Sequence, residues 1–448
     1  MAISQNFPDE GPTLNLNFAG GKVLDPRITF SRSSVGTYMD ANGLVATAST
    51  DSPRFDHRYV NGEVESLGLL VEEQRTNLMP RSQDFSASPG GWTLSSTGAS
   101  RTQNLIGPDG VANSAWTITD SDNTNDLAQF YKQISISASS STKYCISCFM
   151  KDVDNAGITP DLYAFFLGNS TRGSYVRYTF STDSFTAHAA DGGGIQPSIY
   201  GSIPYPNGWV RLYFVVDDSN NGSNTTLQFR IYPNGRGSNT TGSMGFFGAQ
   251  IEIGEFPTSY IPTLDSNTAT RTEDRAVIEG TNFTDIFDTN FESFSMFVNY
   301  DNLGISTGTN HPVVIFWGES AGYDDRIEFF KDNADPYHIE TRAFGGGSGV
   351  FANGNLSAGS TAATQKLAMS WSVPDYSDQP SRRWAFSFNG ESVDVVNDGS
   401  GSTIPDITRV GFGINPTRTD FHGKRITFKQ ITLYSNALTD SQLQNLTK

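Results

Sequence analysis

The chain has 448 residues, a formal net charge of -17, 17% charged residues, 12% aromatics, 44 glycines and 20 prolines. That length exceeds one ordinary core and predicts two or three domains. The low charge and the abundance of turn formers favour many short strands over long helices. The acidic balance, with no basic stripe interleaved with aromatics, argues against nucleic acid as a partner. No window approaches a membrane span, and Met1 to Gly11 has neither the cationic nor the apolar part of a secretory signal, so no membrane insertion and no signal-directed export are expected.

Residues 1–76 form an opening block dense in turn signals: Ala19-Gly20-Gly21, Leu24-Asp25-Pro26-Arg27, Asp40-Ala41-Asn42-Gly43 and Ser52-Pro53-Arg54-Phe55-Asp56-His57. Leu14, Leu16 and Phe18 share a face, but nothing here is long enough to build its own core. The block is expected to fold against the next domain or against another copy of the chain.

Residues 77–264 read as strands separated by Gly, Asn and Ser clusters. Val210, Leu212, Phe214 and Val216 alternate, as do Leu227, Phe229 and Ile231, and Phe247, Ala249, Ile251 and Ile253. Such period-two patterns, with no helical period between them, predict two antiparallel sheets packed face to face. Cys145 and Cys148, the only cysteines, lie three apart in one such run, on opposite faces, and are expected to be buried free thiols.

A polar stretch, 265–281, carries Thr268, Thr270, Arg271, Glu273, Asp274 and Arg275 and is read as a linker. A second sandwich is predicted over 282–448. Phe294, Met296, Val298 and Tyr300 share one face; Leu367, Met369, Trp371 and Val373 share another; Trp384, Phe386 and Phe388 run into the hairpin signal Asn389-Gly390. One short helix closes the chain, with Thr439 as N-cap, Gln442 completing a capping box, and Leu438 and Leu443 as the staple. The fold class is therefore all-β: two tandem antiparallel jelly-roll sandwiches, preceded by a small irregular β leader and followed by one short helix.

Trp384-Ala-Phe-Ser-Phe-Asn-Gly-Glu-Ser-Val, with Phe421 to Leu443, resembles the hairpin, closing strand and helix of laminin-G-like, concanavalin-A-like domains. Phe246 to Thr263 is similar to the closing strand of carbohydrate-binding-module-like sandwiches of phage fibres. Leu24 to Ser34, Pro53 to His57 and Leu67 to Leu78 resemble a leader of phage structural proteins. The resemblance implies a bacteriophage virion protein, a tail or head fibre or spike subunit whose lectin-like domains attach to host-surface glycans. It also implies partners among the other virion proteins.

Catalytic machinery is not evident. The histidines at 57, 188, 311, 338 and 422 do not pair at ligand spacing, and the serine of Gly345 to Gly349 lacks the strand-to-helix context of a nucleophile elbow. His57, in a charged cluster, reads as a structural hydrogen-bonding group. The acidic pairs Glu72-Glu73, Asp217-Asp218 and Asp324-Asp325 read as solvated pairs at strand ends and loops. A sugar needs an aromatic platform beside polar loops. Trp317 and Tyr323 border the loop containing Asp324 and Asp325, so these four residues are the candidate glycan-binding edge, with core packing as the alternative for Trp317. No cofactor is required; Asp324, Asp325 or Asp335 would be the oxygen donors of a Ca2+ site if there is one.

The expectation is a non-enzymatic virion surface protein assembled as a homotrimer, since a coreless leader would gain burial from sister chains. A capsid decoration protein without receptor binding is the second reading, and an extracellular glycan depolymerase the third.

Overall fold

The computed structural model describes residues 11–95, 98–121, 128–189, 191–236, 241–265, 267–287, 293–305, 311–318, 325–331, 339–345, 348–356, 364–372, 383–397, 406–413 and 424–448. The protein is all-β, with two sandwiches of antiparallel sheets. The short closing helix, Asp440–Thr447, is capped by Thr439 and Gln442 in a full capping box, and Leu438 and Leu443 are buried beneath it. The Asn389-Gly390 turn has φ of 48° and 83°, the left-handed pair that a tight hairpin requires.

The middle sandwich has six strands in each sheet. Its inner sheet runs in the order Tyr200–Pro204, Trp209–Val216, Tyr144–Asp152, Gly242–Ile253, Ala115–Asp120, Ala99–Leu105. The outer sheet runs Ser184–Ala189, Arg172–Thr179, Asp161–Leu167, Thr226–Tyr232, Gln129–Ser135, Thr93–Ser95. Between them Leu212, Phe214, Leu227, Phe229, Ile231, Phe246, Ala249 and Ile251 are fully buried, and Trp92 stacks on Phe130 at 4.5 Å. One predicted stripe breaks. Gly248, at φ 64°, lies where the ladder slips by a residue, so Phe247 turns to the other face and joins Phe149 while Ala249 stays inside. Ile253, at the strand end, is 56% exposed.

The last sandwich is completed by the leader. Its larger sheet runs Asp394–Asn397, Arg383–Phe388, Thr364–Ser372, Ser293–Ile305, Lys424–Tyr434, Glu63–Glu72, Arg54–Val60, and Leu14–Asn17 also pairs with Lys424–Tyr434. Leader strands thus line one edge of the closing strand: Leu14 to Asn17 face Leu433 to Gln430, and Leu69 to Glu72 face Phe428 to Arg425. The approach is close enough that a Cβ at Gly68, φ 85°, would lie 2.0 Å from the Phe428 carbonyl oxygen. In the second sheet Thr29–Ser31 pairs with Arg275–Glu279. Leu14, Leu16, Phe18, Leu69 and Val71 enter one core with Phe294, Met296, Trp371, Trp384 and Phe412. The surface that the leader must cover is therefore covered within one chain, and the sister copies invoked above are not needed for it.

The leader also grips the middle sandwich. Met39, Val45 and Tyr59 pack with Phe149, Tyr205, Trp209, Phe247 and Tyr260 on the outward side of the inner sheet. From the linker stretch, Arg271 and Asp274 are buried where these parts meet. Arg54 pairs with Glu72 at 2.7 Å and with Asp274; Arg32 holds the other Asp274 oxygen at 2.9 Å; Arg425 reaches Glu72 at 3.2 Å and Asp56 at 3.1 Å; Arg271 stands 3.5 Å from Glu72. Arg32, Arg54, Arg271, Glu72 and Asp274 are 0% exposed in their side chains. Ser259 donates to both Glu72 oxygens, at 2.7 Å each. Burial alone would raise the Glu72 carboxyl, but Arg271, Arg54 and Arg425 outweigh it and hold the group well below its ordinary range.

Removing one partner of a buried ion network strands the others without compensation. Glu72→Gln is expected to lower unfolding stability by about 3–5 kcal/mol, read from the urea midpoint. The Glu72 carboxyl is depressed in the folded state, so its contribution is complete above its ordinary value of 4.5 and is lost as the pH falls below it. Stability should decline on acidification below about pH 4.5, and less steeply in Glu72→Gln than in the parent.

Candidate functional site

Trp317 is 7% exposed and belongs to the core of the last sandwich, with the Arg409 guanidinium 5.9 Å from its ring. This burial leaves no open face for a sugar. Asp325 is half-buried, and its carbonyl accepts from Gly318 N–H at 3.0 Å. Tyr323, Asp324 and Asp335 lie outside the described residues. The solvated reading of the acidic pairs is overturned at three positions. Glu72 is locked in the ion network, Glu73 pairs with Arg75, and Asp218 is buried with both oxygens on Asn224 at 3.2 Å. His57 is buried, its Nδ1 2.9 Å from the Met39 carbonyl. Cys145 and Cys148 are buried free thiols on opposite faces, and burial pushes both thiols up.

The outer sheet of the middle sandwich offers a better candidate. Strand alternation sends Leu162, Ala164, Phe166, Val176, Leu227, Phe229 and Ile231 into the core and the intervening residues outward. The solvent side of an antiparallel sheet is ordinarily polar. Here it is aromatic and cationic. Tyr131, Arg230, Tyr163, Tyr175 and His188 are successive cross-strand partners on five adjacent strands. They form one row spanning four strand spacings, about 19 Å at ~4.8 Å each. Tyr163 stacks on Tyr175 at 4.2 Å and on Phe165 at 5.4 Å, and Tyr175 stacks on His188 at 4.6 Å. Tyr163, Phe165 and Tyr232 form a small cluster of their own, separate from every other core, with Leu167 and Tyr175 packed against it.

Guanidinium groups lie over these rings. Arg230 sits 4.5 Å from the Phe165 centroid and 5.2 Å from that of Tyr131, donating to Gln228 at 3.0 Å and to the Tyr232 hydroxyl at 3.2 Å. Arg236 lies 5.5 Å from the Tyr163 centroid. Asp161 is buried and is held by Arg177 in a bidentate pair at 2.7 and 2.9 Å and by the Arg236 N–H at 2.7 Å. Tyr131, Tyr175, Arg177, His188 and Arg230 remain half-buried and reachable from solvent. Ring edges for apolar contact, beside fixed N–H donors, make a surface suited to ligands with both apolar faces and many oxygens.

No family model and no curated protein sequence matches the chain. Among solved structures, the CBM40 of Ruminococcus gnavus IT-sialidase bound to α2,3-sialyllactose is similar over 35% of this chain and 82% of that one, at 14% identity and TM-score 0.27. A K499G mutant of NanB sialidase from Streptococcus pneumoniae is similar over 38% and 26%, at 14% identity and TM-score 0.28. The receptor-binding domain of botulinum neurotoxin C/D mosaic serotype is similar over 38% and 39%, at 10% identity and TM-score 0.26. Likeness at this level bears on no residue of the site.

Sequence reasoning missed this face although a signal was present. Asp161-Leu-Tyr-Ala-Phe-Phe-Leu167 is apolar at both parities, which marks a strand with apolar neighbours on both sides. What the text does not give is that Tyr175, His188 and Arg230 stand beside it. The row separates stability from access. Tyr163→Ala, at a buried position with stacked neighbours on two sides, should cost about 3 kcal/mol or more in urea unfolding. Tyr175→Ala, half-exposed, should cost no more than about 1.5 kcal/mol.

Proposed function

We propose that the protein is a non-enzymatic glycan-binding protein displayed on a bacteriophage particle, and that it holds its ligand on the outward face of the outer sheet. The observation that carries the binding reading is the Tyr131–Arg230–Tyr163–Tyr175–His188 row. Stacked rings and anchored guanidinium groups on the solvent side of a sheet supply what a sugar chain needs: apolar contact for its C–H faces and fixed donors for its oxygens. The opposite sheet of the same sandwich has its outward side occupied by the leader. The leader resemblance at Leu24 to Ser34 and Leu67 to Leu78 supports the particle setting, with other virion proteins as neighbours and a host-surface polysaccharide as the target. Attachment as a fibre or spike subunit, and trimeric assembly, belong to the same proposal.

The test is an array of bacterial surface polysaccharides and defined oligosaccharides probed with the full chain. Binding is expected for a subset, and the Tyr175→Ala, His188→Ala double variant should lose at least about tenfold in affinity while keeping its unfolding midpoint within about 1.5 kcal/mol of the parent. Absence of binding across the array, or binding unchanged in the double variant, rules out this face. Release of new reducing ends from any bound polysaccharide would contradict the non-enzymatic reading.

A further inference from the structure

The arginines of this face carry the reading one step further. The chain as a whole is strongly acidic, at -17. Yet beside the aromatic row Arg177, Arg230 and Arg236 gather near the Asp161 carboxylate. That carboxylate is already engaged by Arg177 and by the Arg236 N–H. Arg230 differs from Arg177 in that no carboxylate pairs with it among the described residues. Its plane is fixed by Phe165 and Tyr131, and its N–H groups are oriented by Gln228 and the Tyr232 hydroxyl. These partners are neutral, so they set the position of the charge without cancelling it. Three of the five Arg230 N–H groups are used, Nε and Nη2 on Gln228 and Nη1 on the Tyr232 hydroxyl, so each Nη nitrogen keeps one N–H for an oxyanion. Held over rings, the guanidinium also gives up little side-chain freedom on binding. Half-buried, it is less screened by water than a free surface arginine.

We infer that the face selects acidic sugars, those bearing a carboxylate or a sulfate, and that Arg230 is the residue that receives the anionic group. The inference rests on the outer sheet being the glycan face, and it adds the ligand class. A neutral chain would find the same apolar contacts but would leave the Arg230 charge uncompensated, whereas an acidic one places its anion beside a guanidinium already in position. Tyr131, the solvent-reachable row neighbour of Arg230, would then flank the acidic residue of the ligand, and Tyr175 and His188 would take the sugar that follows it.

The experiment is direct binding of the full chain to matched oligosaccharides: uronic- or sialic-type chains, the same chains with the carboxyl reduced to an alcohol, sulfated chains and neutral chains. Tighter binding of the acidic form than of its reduced counterpart by about tenfold, shrinking as salt is raised, is expected. The carboxylated and sulfated arms distinguish the two sources of the anion, and preference for either supports the inference. Arg230→Gln should abolish the preference, lowering affinity for the acidic chains about tenfold more than for their reduced counterparts, and Arg230→Lys should restore part of it. Reduction of the ligand needs no variant, so the test survives if Arg230→Gln proves unstable. Equal affinity for acidic and reduced chains overturns acid selection and leaves glycan recognition standing. Failure of every chain to bind overturns the glycan reading itself.

Discussion

The ion network around Glu72 and Asp274 is the constraint on which the rest of the molecule turns. Arg54 and Glu72 come from the leader, Arg271 and Asp274 from the stretch between the sandwiches, Arg425 from the closing strand, and Ser259 from the tail of the middle sandwich. Taking several charges out of water is costly, and their mutual attraction repays this only when geometry is good and the remaining lone pairs are filled. The carboxylate side is filled: each Glu72 oxygen has cationic and Ser259 partners, and Asp274 accepts the Glu72 N–H at 2.9 Å besides its arginines, whereas the Nε groups of Arg54, Arg271 and Arg425 make no hydrogen bond. A network of this kind adds little net stability over an apolar filling, but it tolerates few wrong arrangements. It acts as a register pin for these four segments, which hydrophobic burial alone would leave free to slide.

That pin dictates which surfaces remain open. Once Arg54–Val60 and Glu63–Glu72 are anchored, the hairpin Gly36–Met39 and Val45–Ala48 is brought onto the inner sheet, where Met39 and Val45 pack against Phe149 and Trp209. Polar side chains facing the same way, Gln250, Glu252 and Arg211, bind the 254–263 tail instead of solvent, with Arg211 donating to the Thr258 carbonyl at 2.7 Å and Glu252 accepting the Thr258 N–H at 2.9 Å. The inner sheet is thereby used up as scaffold. The outer sheet, joined to it through a shared core, keeps its outward rings and arginines.

The aromatic row serves the fold and the surface at once. Cross-strand stacking of Tyr163 with Tyr175 ties adjacent strands together, an interaction worth about 0.5–1.5 kcal/mol beyond area burial. The same stacking fixes the rings before any ligand arrives, so little ordering cost is left for binding. Tyr131 closes the row at one end, with Arg230 beside it, and His188 at the other.

Local pattern by itself determined the all-β class and the inward stripes of Trp209–Val216 and Thr226–Tyr232 through period-two alternation, the turn through Asn389-Gly390 and the terminal helix through its capping box, because each is set by neighbours within a few residues. Long-range pairing decided the rest. Leu14 lies opposite Leu433 and Thr29 opposite Val277, so the leader found its core far along the chain; no local pattern encodes which strand edge is vacant. Trp317 read as either a core residue or a platform and lies in a core, while Arg271 and Asp274 read as a polar linker and are fully buried. Burial is a property of what packs on a residue, and a charge or a ring carries the same letters whether it meets water or protein. The candidate face shows the same limit: its members were visible singly, at positions 131, 163, 175, 188 and 230, and only sheet order set them in one row.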